Sequence, residues 1–465
     1  MAISAAGVGS GLDVKSIVTQ LVAIERQPLQ QLQAKAATIQ TQLSLYGKVK
    51  AQISALGDAA AVLAGASGWS AQKASSSNAA AVGVSVDATA ATSALSVSVQ
   101  QLARAQSSAS AGVAAGVAVG ATGTLNIEAG SWSSAAVPVF TAGTSVSINV
   151  VAGDTVSAIA SKINAASAGV TATVLRDGAN ERLVIRSSAT GVASGFRLNN
   201  PADPGLAAFG FTNPSDGTSF VGQTALDAQV TINGVNVVSA SNKMVNVVPG
   251  VTLQLNQVTT APADITIATD LDAVQKNIQN FVDAYNALNA TIADATKYTA
   301  ATKTGGPLQG DSTTLGLQSA LRSMLGSTSA GSTFSYLSDV GIERQTDGSL
   351  KINTTKLTSA QQNIPNLKQL FTADNSNPLT NGFGLKVRDF ARAMVAFDGR
   401  VTNKSAALQA SITRNSQDQD RVNERASRVE AQLYKQYSAL DAQMAQLNGL
   451  NSFVTAQLAV WNKPA

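Results

Sequence analysis

The chain has 465 residues, of which 45% are hydrophobic, 5% aromatic and 13% charged, with no cysteine, no histidine and a formal net charge of +4. That length holds several domains with ample cores, while the missing Cys and His exclude Ser-His-Asp triads, thiol nucleophiles, thiolate or imidazole zinc sites and disulfides. Residues 74–270 carry 7 Lys and Arg against 10 Asp and Glu, and no cationic cluster with interleaved aromatics occurs, so a nucleic-acid partner is not expected.

The opening stretch, MAISAAGVGSGLDVKSIV, lacks the cationic and apolar regions of a cleavable secretory signal. Its glycines, Gly7, Gly9 and Gly11, miss the G-x-G-x-x-G spacing and follow no strand, so they read as a flexible lead and not as a dinucleotide loop. Asp13 is placed to cap a helix, with Leu12 and Ile17 at the two positions of a hydrophobic staple. Ile17, Leu21 and Ile24 then form one apolar stripe. Pro28 removes a backbone donor inside this pattern and predicts a kink or break. Beyond it Ile39, Leu43, Tyr46, Val49, Ile53, Leu56, Ala60 and Leu63 recur every three or four residues. A helix running unbroken over 13–65 is about 80 Å long.

The middle of the chain changes period. Leu95–Val99, Ser145–Val150, Val170–Val174 and Val230–Val237 alternate apolar and polar residues between Gly, Asn and Asp, as half-buried strands do. Asn233-Gly234 predicts a tight hairpin turn. A short helix is expected over Thr155–Ala165, with Val156, Ile159, Ala160 and Ile163 on one face and Asp154 or Thr155 as its cap. Trp69 and Trp132 sit in Gly/Ser-rich surroundings that suit either surface contacts or core satellites. The long uncharged stretch Ala105–Ile127 is too poor in Leu and Ile for a membrane span.

From residue 271 helical patterns return, broken by loop-rich intervals near 299–312 and 326–384. Gly305–Thr313 has no Walker lysine; Asp311 and Ser312 read as caps for the helix carrying Leu315, Leu321 and Leu325. Asp270/Asp272 reads as a helix start, and Asp418/Asp420, beside Arg421, Glu424 and Arg425, as a solvated ion-pair network. No calcium-loop pattern occurs. Catalytic, cofactor-binding and metal-binding residues are therefore not expected, and the chain is read as a non-enzyme. From Val401 an apolar seam steps by four and three through Ser405, Leu408, Ile412, Asn415, Gln419, Val422, Ala426, Val429 and Leu433. After one extra step of four to Tyr437 it resumes through Leu440, Met444, Leu447, Asn451, Val454, Leu458 and Trp461. This is a heptad seam with one stutter, predicting a coiled coil unwound near 433–437, whose polar Asn415 and Gln419 fix register at some cost in stability. A long helix packed on its own domain is the simpler alternative.

Several segments in order resemble one family, the flagellar filament-capping proteins, also called hook-associated protein 2. Gly9-Ser-Gly-Leu-Asp13, Gln20-Leu21-Val22, Leu95–Ala103, Pro249–Leu253, Phe281–Leu288, Leu308–Thr313, Asp347–Leu350 and Tyr437–Asp441 carry the likeness. Residues 154–191 are similar to a small β-α-β-β insert shared with some flagellins. The resemblance implies an α+β multidomain chain, with N- and C-terminal helices forming a coiled-coil or helical leg around an inserted β-rich head of two small domains. Its divisions are expected at 1–40 with 434–465 (terminal coiled coil), 41–73 with 271–433 (helical leg), 74–103 with 225–270 (β-rich head), and 104–224 (outer head with one short helix).

It also implies a homo-oligomeric plate at the distal tip of the filament, outside the cell and exported without a cleavable signal, that aids folding and insertion of flagellin. Further implied partners are the hook–filament junction protein and an export chaperone on the C-terminal helix. Filament contact and self-assembly are expected on Leu12, Asp13, Ile17, Leu21 and Ile24 and on Leu440, Met444, Leu447, Val454 and Leu458. Two other readings fit the same pattern: another axial flagellar protein, such as a junction protein or flagellin, and an extracellular adhesin with a β head on a coiled-coil stalk.

Overall fold

A computed structural model describes residues 13–135, 138–199, 203–212 and 220–461; the side chains of 220–222, 460 and 461 are not described. In chain order the helices are α1 (Val14–Glu25), α2 (Gln27–Ala64), α3 (Val156–Ala165), α4 (Leu271–Thr296), α5 (Ser312–Leu325), α6 (Thr354–Gln361), α7 (Ile364–Thr372), α8 (Phe383–Val395) and α9 (Arg400–Trp461). The chain divides into a helical unit, residues 1–69 with 272–465, and a β unit, residues 70–271. The helical ends thus flank a β-rich middle, the arrangement expected from the change of hydrophobic period.

In the helical unit the apolar positions of α2 form one continuous face. Tyr46, Val49, Ile53, Leu56 and Ala60 are buried there together with Phe281, Tyr285 and Leu288 of α4, Phe371 of α7, and Phe383 and Val387 of α8. α2 and α8 approach so closely that a Cβ on Gly57 would lie 2.8 Å from the Ala391 Cβ. Trp69 belongs to this core: it is buried, donates to the Leu63 carbonyl at 2.9 Å and packs on Phe371 with ring centroids 5.6 Å apart. The kink or break predicted at Pro28 is present as a break at Arg26, with Pro28 in the first turn of α2.

The β unit holds two apolar cores. One lies between a five-stranded antiparallel sheet, in the order 72–76, 263–269, 93–101, 228–232, 235–239, and a three-stranded sheet of 243–248, 251–255 and 82–86. Alternation decides which residues enter: Leu95, Val97 and Val99 are buried while Ser96 and Ser98 between them are not. Asn233 and Gly234 turn the 228–239 hairpin with φ of 49° and 85°, the paired left-handed geometry of a two-residue turn. The second core gathers Leu125, Ile127, Ile148, Leu183, Ile185 and Phe196 beneath α3, whose Ile159 and Ile163 point inward and whose N-cap is Thr155. Trp132 is half-buried beside it, donating to the Phe196 carbonyl at 3.1 Å and stacking near Phe140 at 4.8 Å.

Candidate partner-binding surface

α9 is 62 residues long, about 93 Å at 1.5 Å per residue, and its surroundings change along that length. Its first part is anchored in the helical unit through a polar hub. Asp311, the N-cap of α5, accepts from the Thr314 amide at 2.9 Å, from the Lys404 ammonium of α9 at 2.7 Å and from the Tyr46 hydroxyl of α2. Burial by itself raises the Asp311 pKa. The bonds from Lys404, Tyr46 and Thr314 together outweigh it, and the carboxyl is held down at about 2. Tyr46 moves upward, from burial first and then from the Asp311 carboxylate beside it. From there the predicted seam is followed closely: Val401, Leu408, Asn415 and Ala426 are buried and the seam residues between them half-buried as far as Tyr437.

The N-terminal strand of the pair ends early. Asp13 caps α1 by accepting from the Ser16 amide at 2.9 Å, and α1 buries Val14, Val18 and Val22 against Ala426, with Leu433, Tyr434 and Tyr437 packed around them. Exposed ion pairs flank this contact, Arg425 with Glu25 at 3.1 Å and Arg26 with Glu430 at 3.9 Å. α1 therefore turns Ile17, Leu21 and Ile24 away from the packed face; Ile17 is half-buried, and Leu21 and Ile24 are exposed. Leu12 lies outside the described residues.

Past Tyr437, α9 continues for roughly another 35 Å. Leu440, Leu447, Val454 and Leu458 are exposed on one stripe with half-buried Met444, and Leu447 reaches 58% exposure and Leu458 52%. Leu450 and Phe453, both 60% exposed, widen the stripe; sequence spacing alone had left them outside the seam. Asp441 is the only charged residue from 438 to 461. The surface offered is thus apolar with Gln, Asn, Ser and Thr at its margins, suited to helix packing and not to electrostatic steering. The predicted site residues fall into two groups, one on the outer face of α1 and one on the overhanging end of α9. Among the described residues no group of three or more acidic side chains is placed to hold a metal ion. None of the helices searched among them is long and apolar enough to cross a membrane.

Two family models match in the order in which the fold uses them. Residues 10–106 match the N-terminus of flagellar hook-associated protein 2, and residues 225–449 match its C-terminus. The chain belongs to the flagellar hook-associated protein 2 family. A third model, the flagellin hook IN motif, matches residues 139–189, which here form strand 140–150, α3 and strands 170–177 and 180–187. Relatives within the family include flagellar hook-associated protein 2 of Escherichia coli K12, 28% identical over 474 residues and covering 98% of both chains. The A-type protein of Pseudomonas aeruginosa is 28% identical over 471 residues, covering 95% of this chain and 94% of its own. The solved D1-D2-D3 domains of the Escherichia coli flagellar cap protein FliD superpose with a TM-score of 0.58 at 27% identity, covering 78% of this chain and 99% of that one. Val454 and Leu458 lie beyond the C-terminal family match, which stops at residue 449.

Proposed function

We propose that this protein caps the distal end of a bacterial flagellar filament, forming an oligomeric plate that promotes folding and insertion of exported flagellin and prevents its loss. The observation that carries this reading is the overhanging end of α9, a charge-poor helix whose exposed Leu447, Leu450, Phe453 and Leu458 find no partner among the described residues of one copy. A stripe of that kind needs other helices, and neighbouring copies and the helical ends of filament subunits supply them. The work is repeated binding and release outside the cell, with no bond chemistry.

Within this reading the contact surface comprises Leu12, Asp13, Ile17, Leu21 and Ile24 with Leu440, Met444, Leu447, Val454 and Leu458. Residues 1–40 with 434–465 act as the terminal coiled coil, 41–73 with 271–433 as the leg, and 74–103 with 225–270 and 104–224 as the two layers of the head. The hook–filament junction protein is met at the start of assembly, and an export chaperone covers the C-terminal helix before secretion.

The test is the double variant Leu447→Asp/Val454→Asp in a strain lacking the native protein. Cells should be non-motile and shed flagellin into the medium, while the purified variant keeps the β signal in circular dichroism. Normal filaments from that variant would sink the assignment.

A further inference from the structure

Two apolar side chains of the helical unit stand far out in solvent. Phe397 is 97% exposed and Leu379 77%, the two highest values among the large hydrophobic side chains described. A scattered surface leucine needs no explanation, but a phenylalanine with almost no contact to its own chain does. The segment that carries it is tied down on both sides. Ala396 ends α8, and the Gly399 amide donates to the Ala396 carbonyl at 2.9 Å, so Phe397 and Asp398 are the two central residues of a turn. From α9 the Asn403 side chain donates to the Asp398 carbonyl at 2.9 Å and the Thr402 hydroxyl to the Val395 carbonyl at 3.0 Å. Gly399 is buried where a Cβ would lie 2.4 Å from the Met394 carbonyl oxygen. The turn thus holds an aromatic ring and a carboxylate side by side in water, arranged before any partner arrives. Among the described residues the Asp398 carboxylate makes no hydrogen bond or ion pair.

Leu379 stands on a groove of about 570 Å³ between α5 and α8. Its walls are Ala320 and Met324 of α5, Phe390 and Ala393 of α8, and Pro378 with Leu379 from the loop before α8. Lys386 enters the same groove. Its ammonium donates to the Ser327 hydroxyl at 2.8 Å and to the Thr328 carbonyl at 2.7 Å and lies 5.1 Å from the centre of the Phe383 ring, all of them neutral partners. An ammonium has three donors, so one is left over. Asp389, the acid on the groove wall, is engaged by Arg388 at 2.8 Å, and among the described residues no carboxylate pairs with Lys386. Burial without a counter-charge pushes the Lys386 ammonium below the ordinary lysine value. The groove therefore lacks an apolar filling and an anion, and the 396–399 turn carries both.

We propose that the Phe397-Asp398 turn of one copy docks in the α5–α8 groove of a second copy, with the ring against Met324, Leu379 and Phe390 and the carboxylate on the Lys386 ammonium. At 97% exposure Phe397 does not fill the groove of its own chain, so the contact is made between chains, each copy giving one turn and receiving another. One contact then covers both of the most exposed apolar side chains. A phenylalanine contributes about 150–250 Å², well short of the ~1,200 Å² of a stable interface, so the turn locks copies that other surfaces already hold side by side. In this the contact rests on the oligomeric part of the capping reading and names residues for it.

Sedimentation velocity of the full chain over a concentration series tests it. Phe397→Ser and Asp398→Lys replace exposed side chains and should leave the far-UV ellipticity unchanged, while each raises the dissociation constant of the oligomer about tenfold or more. Lys386→Glu should do the same, and Lys386→Glu/Asp398→Lys, which reverses the pair, should return to within about threefold of wild type. Wild-type oligomers that neither Phe397→Ser nor Asp398→Lys weakens overturn the contact and leave the capping reading standing. So does a reversed pair no tighter than either single variant, when Lys386→Glu keeps the wild-type melting temperature; if it does not, Phe397→Ser and Asp398→Lys decide. A wild-type chain that is monomeric at every concentration removes the oligomeric reading and this contact with it.

Discussion

The Asp311 hub gives a stability change with a defined sign in pH. Its carboxyl titrates at about 2 in the folded chain against 3.8 for the free group, so folding favours the carboxylate. The contribution is complete above the unfolded value and is lost as pH falls through the folded one, which places the loss between about pH 4 and pH 2. At about 1.4 kcal/mol per pKa unit this shift corresponds to roughly 2 kcal/mol. The Asp311 side chain is only 11% exposed, so solvent screening leaves most of that in place. Asp311→Asn keeps an acceptor for the Thr314 amide but removes the charge facing Lys404. Urea unfolding followed by far-UV ellipticity, at pH 5 and at pH 2.5, separates the two proteins. The variant should start about 2 kcal/mol less stable and lose correspondingly less on acidification. An equal acid loss in variant and wild type would refute the argument, since the titrating group would then lie elsewhere.

Other substitutions test the packing that supports the site. Gly57→Val should cost about 1–3 kcal/mol, because α2 and α8 must separate to admit a side chain beside Ala391; an unchanged melting temperature would contradict the close approach. Trp69→Ala should cost about 3–5 kcal/mol, combining lost burial against Phe371 with the released Leu63 carbonyl, and is read by denaturant midpoint. Asn415→Leu/Gln419→Leu should raise the melting temperature, because it replaces a buried amide whose Nδ2 has no hydrogen-bond partner; an unchanged or lower melting temperature would contradict a cost at that layer.

Local signals were legible in the sequence and long-range ones were not. The caps Asp13, Thr155 and Asp311, the Asn233-Gly234 turn and the phase of the α9 seam each depend on residues a few positions apart, and the structure has all of them. The packed face of α1 was not legible. Val14, Val18 and Val22 repeat at the same spacing as Ile17, Leu21 and Ile24, and periodicity alone does not choose between two stripes on one helix. Nor does any local pattern pair Asp311 with Tyr46, which lies 265 positions earlier, or place Trp69 in a core completed by Phe371.

The exposed stripe also bears on why a cap can hold its place and still move. Burying a large apolar side chain completely is worth about 1.5–3 kcal/mol, so side chains already about half covered gain roughly 1 kcal/mol each. Leu440, Leu447, Leu450, Phe453, Val454 and Leu458 then offer about 6 kcal/mol per arm. Association alone costs about 4–15 kcal/mol in lost freedom, so if the stripe is the filament contact proposed above, a single arm holds a subunit weakly or not at all. Several arms on one plate change this, because once one is seated the others bind intramolecularly at high effective concentration. One arm can then release while the rest remain attached. The weakness of the individual stripe, with its uncharged margins and polar Asn451, therefore suits the repeated binding and release proposed for the cap. A longer or fully apolar seam would fix it in place.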